Sequence, residues 1–302
     1  MCYAAMLASL LLLGSCSQQV GTPPRDVAAA PSTTPSPEPD QSVAAEEPIV
    51  DGEIPSRPAP LAIDLVTTTR TMKASIDEWR NGGSGRRAAL MAAMRQQRIF
   101  QKLAARPKLF ERVEKRLPSG LAHFARETVG ASTRLRSLIS PLEDLPDWKT
   151  YKPAPPGELR RYYRAGQRRF DIPWEVLASL NFVESRFGRI LGPSSAGAEG
   201  PMQFLPSTWE SYGAGGDIND PHDAILGAAR YLSASGAPER MRAALFAYNR
   251  SYEYVHAIRT YARQMMRDGR NFFAYYFWQV YVLTVDGNIQ LTGPGGARPA
   301  KA

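Results

Sequence analysis

The sequence predicts a mainly α-helical chain with one small β-hairpin near its C-terminus and a disordered tether at its start. Three observations predict this. Apolar residues recur at the helical period from Leu61 to Arg267. Strict alternation is confined to a short stretch around Val282. The 25 prolines are concentrated near the N-terminus, where large apolar residues are scarce. At 302 residues, with 43% hydrophobic and 10% aromatic content, the chain has room for more than one domain and ample core-forming material in its second half.

Residues 1–15 are expected to be a signal peptide. Ala4 to Leu13 is an apolar run too short to span a bilayer and of the length of a signal-peptide core. It ends in Leu13-Gly14-Ser15-Cys16, which resembles a bacterial lipobox. That resemblance implies lipidation of Cys16 and an extracytoplasmic protein held at the outer face of the cell membrane. Nothing basic precedes the apolar run, a departure from the usual signal, and a plain secretory signal is the other reading. Either reading exports the chain. Residues 16–60, rich in Pro, Ala, Ser, Thr and Glu, cannot bury enough surface to offset ordering entropy and read as a linker.

Residues 61–157 read as a helical N-terminal subdomain. One amphipathic helix runs through Leu65, Met72, Ile76 and Trp79 to the Asn81-Gly82-Gly83 break. A second carries Leu90 to Leu103, a third Leu109 to Leu117, and a fourth Leu121 to Ile139. Arginines from Arg86 to Arg136 give this region solvated basic faces. Pro141 to Gly157 reads as a linker or wrapping segment. Residues 158–291 form the second domain, and 292–302 are expected to be a disordered tail.

Within the second domain, Trp174 to Phe187 is helical, with Val176, Leu177, Leu180, Val183 and Phe187 on one stripe. Glu184 falls at the edge of that stripe. Partial desolvation there raises a carboxyl pKa toward values useful to a general acid. The helix is expected to end at Gly188. A loop with Gly192, Gly197 and Gly200 follows, and its glycines allow backbone to approach a ligand closely. Asp220-Pro221 marks the start of the next helix as cap and first residue. Further helices cover Met241 to Tyr248 and Tyr254 to Arg267. The aromatic run Phe272 to Trp278 and a hairpin turning at Asp286-Gly287 complete the order.

The formal charge of +8 suits an anionic envelope polymer or membrane surface, and no nucleic-acid-binding motif is present. Cys2 and Cys16 are the only cysteines, so the globular part has neither disulfide nor thiolate metal site. His123, His222 and His256 have no metal-ligand spacing, and the acids Asp217, Asp220 and Asp223 lack that of a calcium loop. No metal and no cofactor are expected.

Three ordered segments then carry a resemblance: Glu184-Ser185, Gly200-Pro201-Met202-Gln203-Phe204, and Ala247-Tyr248-Asn249. Together they resemble the signature motifs of lytic transglycosylases, over roughly Glu158 to Arg267. The segments Ser194 to Trp209 and Asp217 to Tyr231 look most like the actinobacterial and membrane-bound type B branch. The resemblance implies a lysozyme-like (goose-type) helical catalytic domain acting on peptidoglycan as a monomer. It implies Glu184 as the sole acid and then base. Gln203 would contact a sugar beside the bond to be cut, with Met202 lining the cleft. Tyr248 would bond near the glutamate, Asn249 would fix the substrate or loop, and Ser195 would face the glycan. Two departures stand out. Ser251 occupies the position of the usual glycine after the Tyr-Asn pair, and the metal loop of type B relatives is replaced here by glycines.

Cutting a β-1,4 glycosidic bond needs an acid at the leaving oxygen. Most glycosidases add a second carboxylate, about 5–5.5 Å away for retention or about 6.5–9.5 Å for inversion. The resemblance implies a scheme without it: the sugar's own N-acetyl group stabilises the cation, and Glu184 then deprotonates the 6-hydroxyl. The product is a 1,6-anhydro-muramic end. Glu199, or Asp217, is the candidate second carboxylate, and its presence across the cleft would make the protein a hydrolytic muramidase. A non-catalytic cell-wall-binding lipoprotein is the reading from another class.

Overall fold

Pro58, Pro107, Pro156, Pro206 and Pro221 each open a helix, because proline's fixed φ suits the first turn and its missing N–H costs nothing there. The computed structural model describes residues 52–145, 148–194 and 196–297. The expected signal peptide, Cys16, most of the linker and Ser195 therefore lie outside the described residues. The helices are α1 (Pro58–Arg80), α2 (Arg86–Ala104), α3 (Pro107–Glu114), α4 (Ser119–Arg136), α5 (Pro156–Phe170) and α6 (Trp174–Ser185). They continue as α7 (Pro206–Tyr212), α8 (Pro221–Ala234), α9 (Met241–Tyr248), α10 (Tyr252–Arg267) and α11 (Arg270–Phe277). Strands β1 (Tyr281–Thr284) and β2 (Gly287–Gln290) pair antiparallel, with Tyr281 opposite Gln290 and Thr284 opposite Gly287. The fold is mainly helical with a C-terminal hairpin, as predicted.

Helix α6 lies at the centre, packed on by α5, α8, α10 and α11. Every residue from Val176 to Ser185 is buried. A helix buried all round has no polar face to turn outward, so its polar side chains must be satisfied internally. Ser179 donates to the carbonyl of Ile258 at 2.7 Å, and Tyr163 of α5 donates to Asn181 Oδ1 at 2.6 Å. Glu184 is thus not at the edge of an amphipathic stripe, as periodicity suggests, but 3% exposed.

Helices α1–α4 do not keep a core to themselves. One apolar cluster runs from Leu61 in α1 through Phe100 in α2 and Leu180 in α6 to Trp278. Phe100 sits 6.1 Å from the Trp278 ring, and Gln97 exchanges two hydrogen bonds with the Gln279 backbone, each of 2.8 Å. The aromatic run Phe272–Trp278 is wholly buried in this junction, which removes it from any role in stacking on a ligand.

Three boundaries differ from the sequence reading. The linker ends before Pro60, because Ile54 is buried and Lys102 holds its carbonyl at 2.6 Å. Helix α6 ends at Ser185 rather than Gly188, because Arg186 and Phe187 already adopt left-handed φ of 53° and 63°. Thr292, placed in the tail by the sequence reading, is 1% exposed and accepts a hydrogen bond from the Val280 N–H at 3.1 Å. The wrapping segment packs Leu142, Leu145 and Trp148 on the hairpin residues Val280, Val282 and Leu291. The Tyr151 N–H of that segment then bonds the Arg189 carbonyl just past α6 at 2.9 Å.

Candidate active site

The turn after α6 brings three consecutive positive-φ residues, Arg186, Phe187 and Gly188, directly behind Glu184 and Ser185. For a residue with a Cβ this costs about 1–2 kcal/mol each, so the turn persists only if its surroundings hold it. Ser185 does much of the holding. Its hydroxyl donates to the Pro201 carbonyl at 2.7 Å and accepts from the Gly188 N–H at 2.8 Å. Asn181 donates to the same Pro201 carbonyl at 2.8 Å. Arg186 and Arg189 donate to buried carbonyls, Arg186 to that of Phe182 at 2.7 Å and Arg189 to that of Tyr276 at 2.8 Å. Burial without a carboxylate partner pushes both guanidinium groups down to about 10.

The Pro201 carbonyl belongs to a tight loop. Glu199 and Phe204 exchange backbone hydrogen bonds of 2.8 and 3.0 Å, closing Gly200-Pro201-Met202-Gln203 between them. Gly200 is obligatory here on two counts: its φ is +72°, and a Cβ would lie 2.0 Å from the Ile218 carbonyl oxygen. Gln203 also has positive φ, 50°, and its side-chain amide donates back to the Gly200 carbonyl at 3.0 Å. Met202 is fully buried, so its side chain belongs to the core and does not line an open cleft. Its carbonyl instead accepts the Tyr248 hydroxyl at 2.6 Å.

Glu184 lies beneath this loop. The Tyr254 hydroxyl donates to Glu184 Oε1, while Oε2 is buried with no hydrogen-bond partner among the described residues. Burial pushes the carboxyl up to about 8, against the smaller downward pull of the Tyr254 hydrogen bond. The phenols of Tyr254 and Tyr248 are both held well above their ordinary value, first by burial and then by the charge of Glu184. Asn249 is buried, with its side-chain oxygen unpartnered. Ser251, the departure from the usual glycine, has an extended φ of −131° and caps α10 by accepting the Tyr254 N–H at 3.3 Å. The turn therefore needs no glycine, and the cap helps to place Tyr254.

Sequence reasoning missed Tyr254, reading it only as a helix start. The Ser251 capping signal three residues before Tyr254 was the available clue. Among the described residues, no second carboxylate is one of the groups that shift Glu184. Glu199 contributes through its backbone bridge to Phe204, and Asp217 is exposed, its side chain accepting the Asn219 N–H at 2.8 Å. Asp220, His222 and Asp223, which the sequence leaves without ligand spacing, do bring donor atoms within 4.8 Å of one another. They are gathered by helix capping: Asp220 accepts the Asp223 N–H at 3.0 Å, and Asp223 accepts the Asp217 N–H at 3.1 Å.

Beside the acid runs a ladder of half-buried rings, Trp209, Phe204, Tyr248, Tyr231 and Tyr212, in edge-to-face contacts of 4.9 to 5.9 Å. Phe204 is the buried rung. The others keep partial exposure, which is what a wall for stacking on sugar rings requires. A buried, protonatable carboxyl with one free oxygen, two phenols and an amide beside a strained loop is equipped for general acid–base work.

Comparison with known proteins agrees with this geometry. Residues 161–266 match the Transglycosylase SLT domain family. The SLT match takes in α5 to α10 up to Met266, and so includes Glu184, the Gly200–Phe204 loop, Tyr248 and Tyr254. The chain is also similar to a "Membrane-bound lytic murein transglycosylase F" of Thiobacillus denitrificans, 30% identical over 114 residues. That match covers 35% of this chain and 24% of the relative, so the chain spans about a quarter of the relative's length. No solved structure matches. Among the described residues no helix is long and apolar enough to cross a membrane.

Proposed function

We propose that this protein is a peptidoglycan lytic transglycosylase that cleaves the β-1,4 bond between N-acetylmuramic acid and N-acetylglucosamine without water. The observation that carries this reading is the Glu184 carboxyl itself: buried, raised to about 8, pinned at Oε1 by Tyr254 and free at Oε2. At neutral pH such a group holds its proton, and Oε2 is the atom from which it can be given to the leaving oxygen. Bond cleavage leaves a cation stabilised by the sugar's N-acetyl group and Glu184 as carboxylate. That carboxylate then takes the proton of the 6-hydroxyl as it closes onto the anomeric carbon. The acid is restored, and a 1,6-anhydro end results. Tyr254 donates to the carboxylate once formed and so lowers the cost of the charged state in a dry site.

Among the described residues, the partner that bonds Glu184 is the Tyr254 phenol and not a carboxylate, which supports the one-acid scheme over a two-carboxylate hydrolysis. Gln203 and Asn249 orient the glycan, the Tyr248 hydroxyl braces the loop through Met202, and Ser195 belongs to the same proposed glycan-binding set. Cys16 carries the lipid, and residues 17 to about 51 hold the domain off the outer face of the membrane, within reach of the wall. Mass spectrometry of purified peptidoglycan digested by the full chain tests the proposal. Anhydro-muramic ends are expected, and reducing ends would establish hydrolysis instead. Glu184→Gln should fold and lose activity by about 10²–10⁴-fold, as expected when the acid is removed from a proton transfer. Full activity in that variant would overturn the assignment.

A further inference from the structure

Helices α9 and α10 carry aromatic residues on two opposite faces. Tyr248 and Tyr254 point inward at Glu184, whereas Phe246 and Tyr252, each two residues away and so about 200° around the helix, lie on the other side. Phe246 and Tyr252 stack on each other, with ring centroids 4.6 Å apart and planes at 26°. Tyr252 nonetheless remains 61% exposed. The Arg242 guanidinium lies 5.2 Å over the Tyr252 ring. Around this pair opens a cavity of about 640 Å³, also lined by Glu239, Arg240, Arg242 and Arg259. Among the described residues no carboxylate lies within ion-pair distance of the three arginines.

A flat exposed ring selects a ligand with an apolar face, such as a pyranose. Three unpaired guanidinium groups against one glutamate select carboxylates, which they hold in forked hydrogen bonds. We propose that this cavity is a second glycan-contact site that takes a carboxylate-bearing sugar unit of peptidoglycan, on the face of α9–α10 opposite the acid. The naming of the polymer rests on the function proposed above; the ring-and-arginine site does not. A site there would hold a second strand, or a distant part of the same strand, while the first is cut.

The test uses the full chain with Glu184→Gln, so that no ligand is consumed, and titrates it calorimetrically with two probes. One is a muramic-acid-containing oligosaccharide with free carboxylates, and the other a neutral β-1,4-N-acetylglucosamine oligomer. For the acidic probe, two binding events per chain are expected. Tyr252→Ala and Arg242→Ala should each weaken the second event about tenfold or more. For the neutral probe, Tyr252→Ala should weaken that event and Arg242→Ala should not. With Glu184 intact, anhydro-product formation from a short oligosaccharide should be unchanged in both variants. A single binding event, or two events untouched by both substitutions, would overturn the proposal. So would equal loss of acidic and neutral probes in Arg242→Ala. If the expected binding pattern appears but no variant with Glu184 ever cleaves the polymer, the enzymatic reading fails and the binding site stands.

Discussion

At the scale of single residues, the raised Glu184 carboxyl makes stability and, under the proposed function, activity depend on pH in a direction that can be worked out. The Glu184 carboxyl is raised from 4.5 to about 8, so between those values the folded protein holds a proton that the unfolded chain has released. Stability contributed by this residue therefore falls as pH rises through that window, at up to about 1.4 kcal/mol per unit. Glu184→Gln, neutral at all pH, should match the parent in thermal melting near about pH 5 and exceed it by a few kcal/mol near about pH 9. A constant difference across the range would contradict the buried, raised carboxyl. The acid must be protonated to act, so kcat/KM should decline above about pH 8. Tyr254 favours the charged carboxylate. In Tyr254→Phe the alkaline limb should move to higher pH, and a limb moved down would show that the phenol plays another part.

At the scale of elements, the Gly200–Gln203 loop is held over the acid by short-range geometry and two α6 side chains. Gly200→Ala places a Cβ on the Ile218 carbonyl and in a left-handed backbone, with an expected cost of about 2–4 kcal/mol. Ser185→Ala removes the bonds to Pro201 and Gly188 and leaves buried groups unpaired, costing about 1–3 kcal/mol. Calorimetric melting reads both. If the loop matters to the site as argued, the Ser185 variant loses kcat more than its modest destabilisation explains, at temperatures where it is fully folded. Here the sequence was readable in part. Gly200 advertised close backbone approach, and Asp220-Pro221 was legible as a helix start because capping depends on neighbours. Helix α6 was misread at its edges, since burial on every side comes from α5, α8, α10 and α11, which no local period reports.

At the scale of the whole molecule, α1–α4 and the helices around Glu184 share one core, so the protein should unfold in a single transition. Phe100→Ala, at the junction with Trp278, should cost about 3–5 kcal/mol and lower the one melting temperature for both halves. Two separated transitions would show that α1–α4 fold independently.

The sequence alone determined what depends on near neighbours or on composition: the helical class, the C-terminal hairpin at Asp286-Gly287, the order of the three motif segments, and Glu184 as the carboxyl to watch. Those features are written in periods, caps and turn residues within a few positions of each other. Only the tertiary structure decided that Glu184 is enclosed, that Tyr254, 70 positions away, is its partner, that the Met202 carbonyl takes the Tyr248 hydroxyl, and that the Glu199 backbone bridges to Phe204. The reason is physical: desolvation and hydrogen bonding act over a few ångströms of space, and the chain distances between those groups carry no trace of which of them the fold brings within reach.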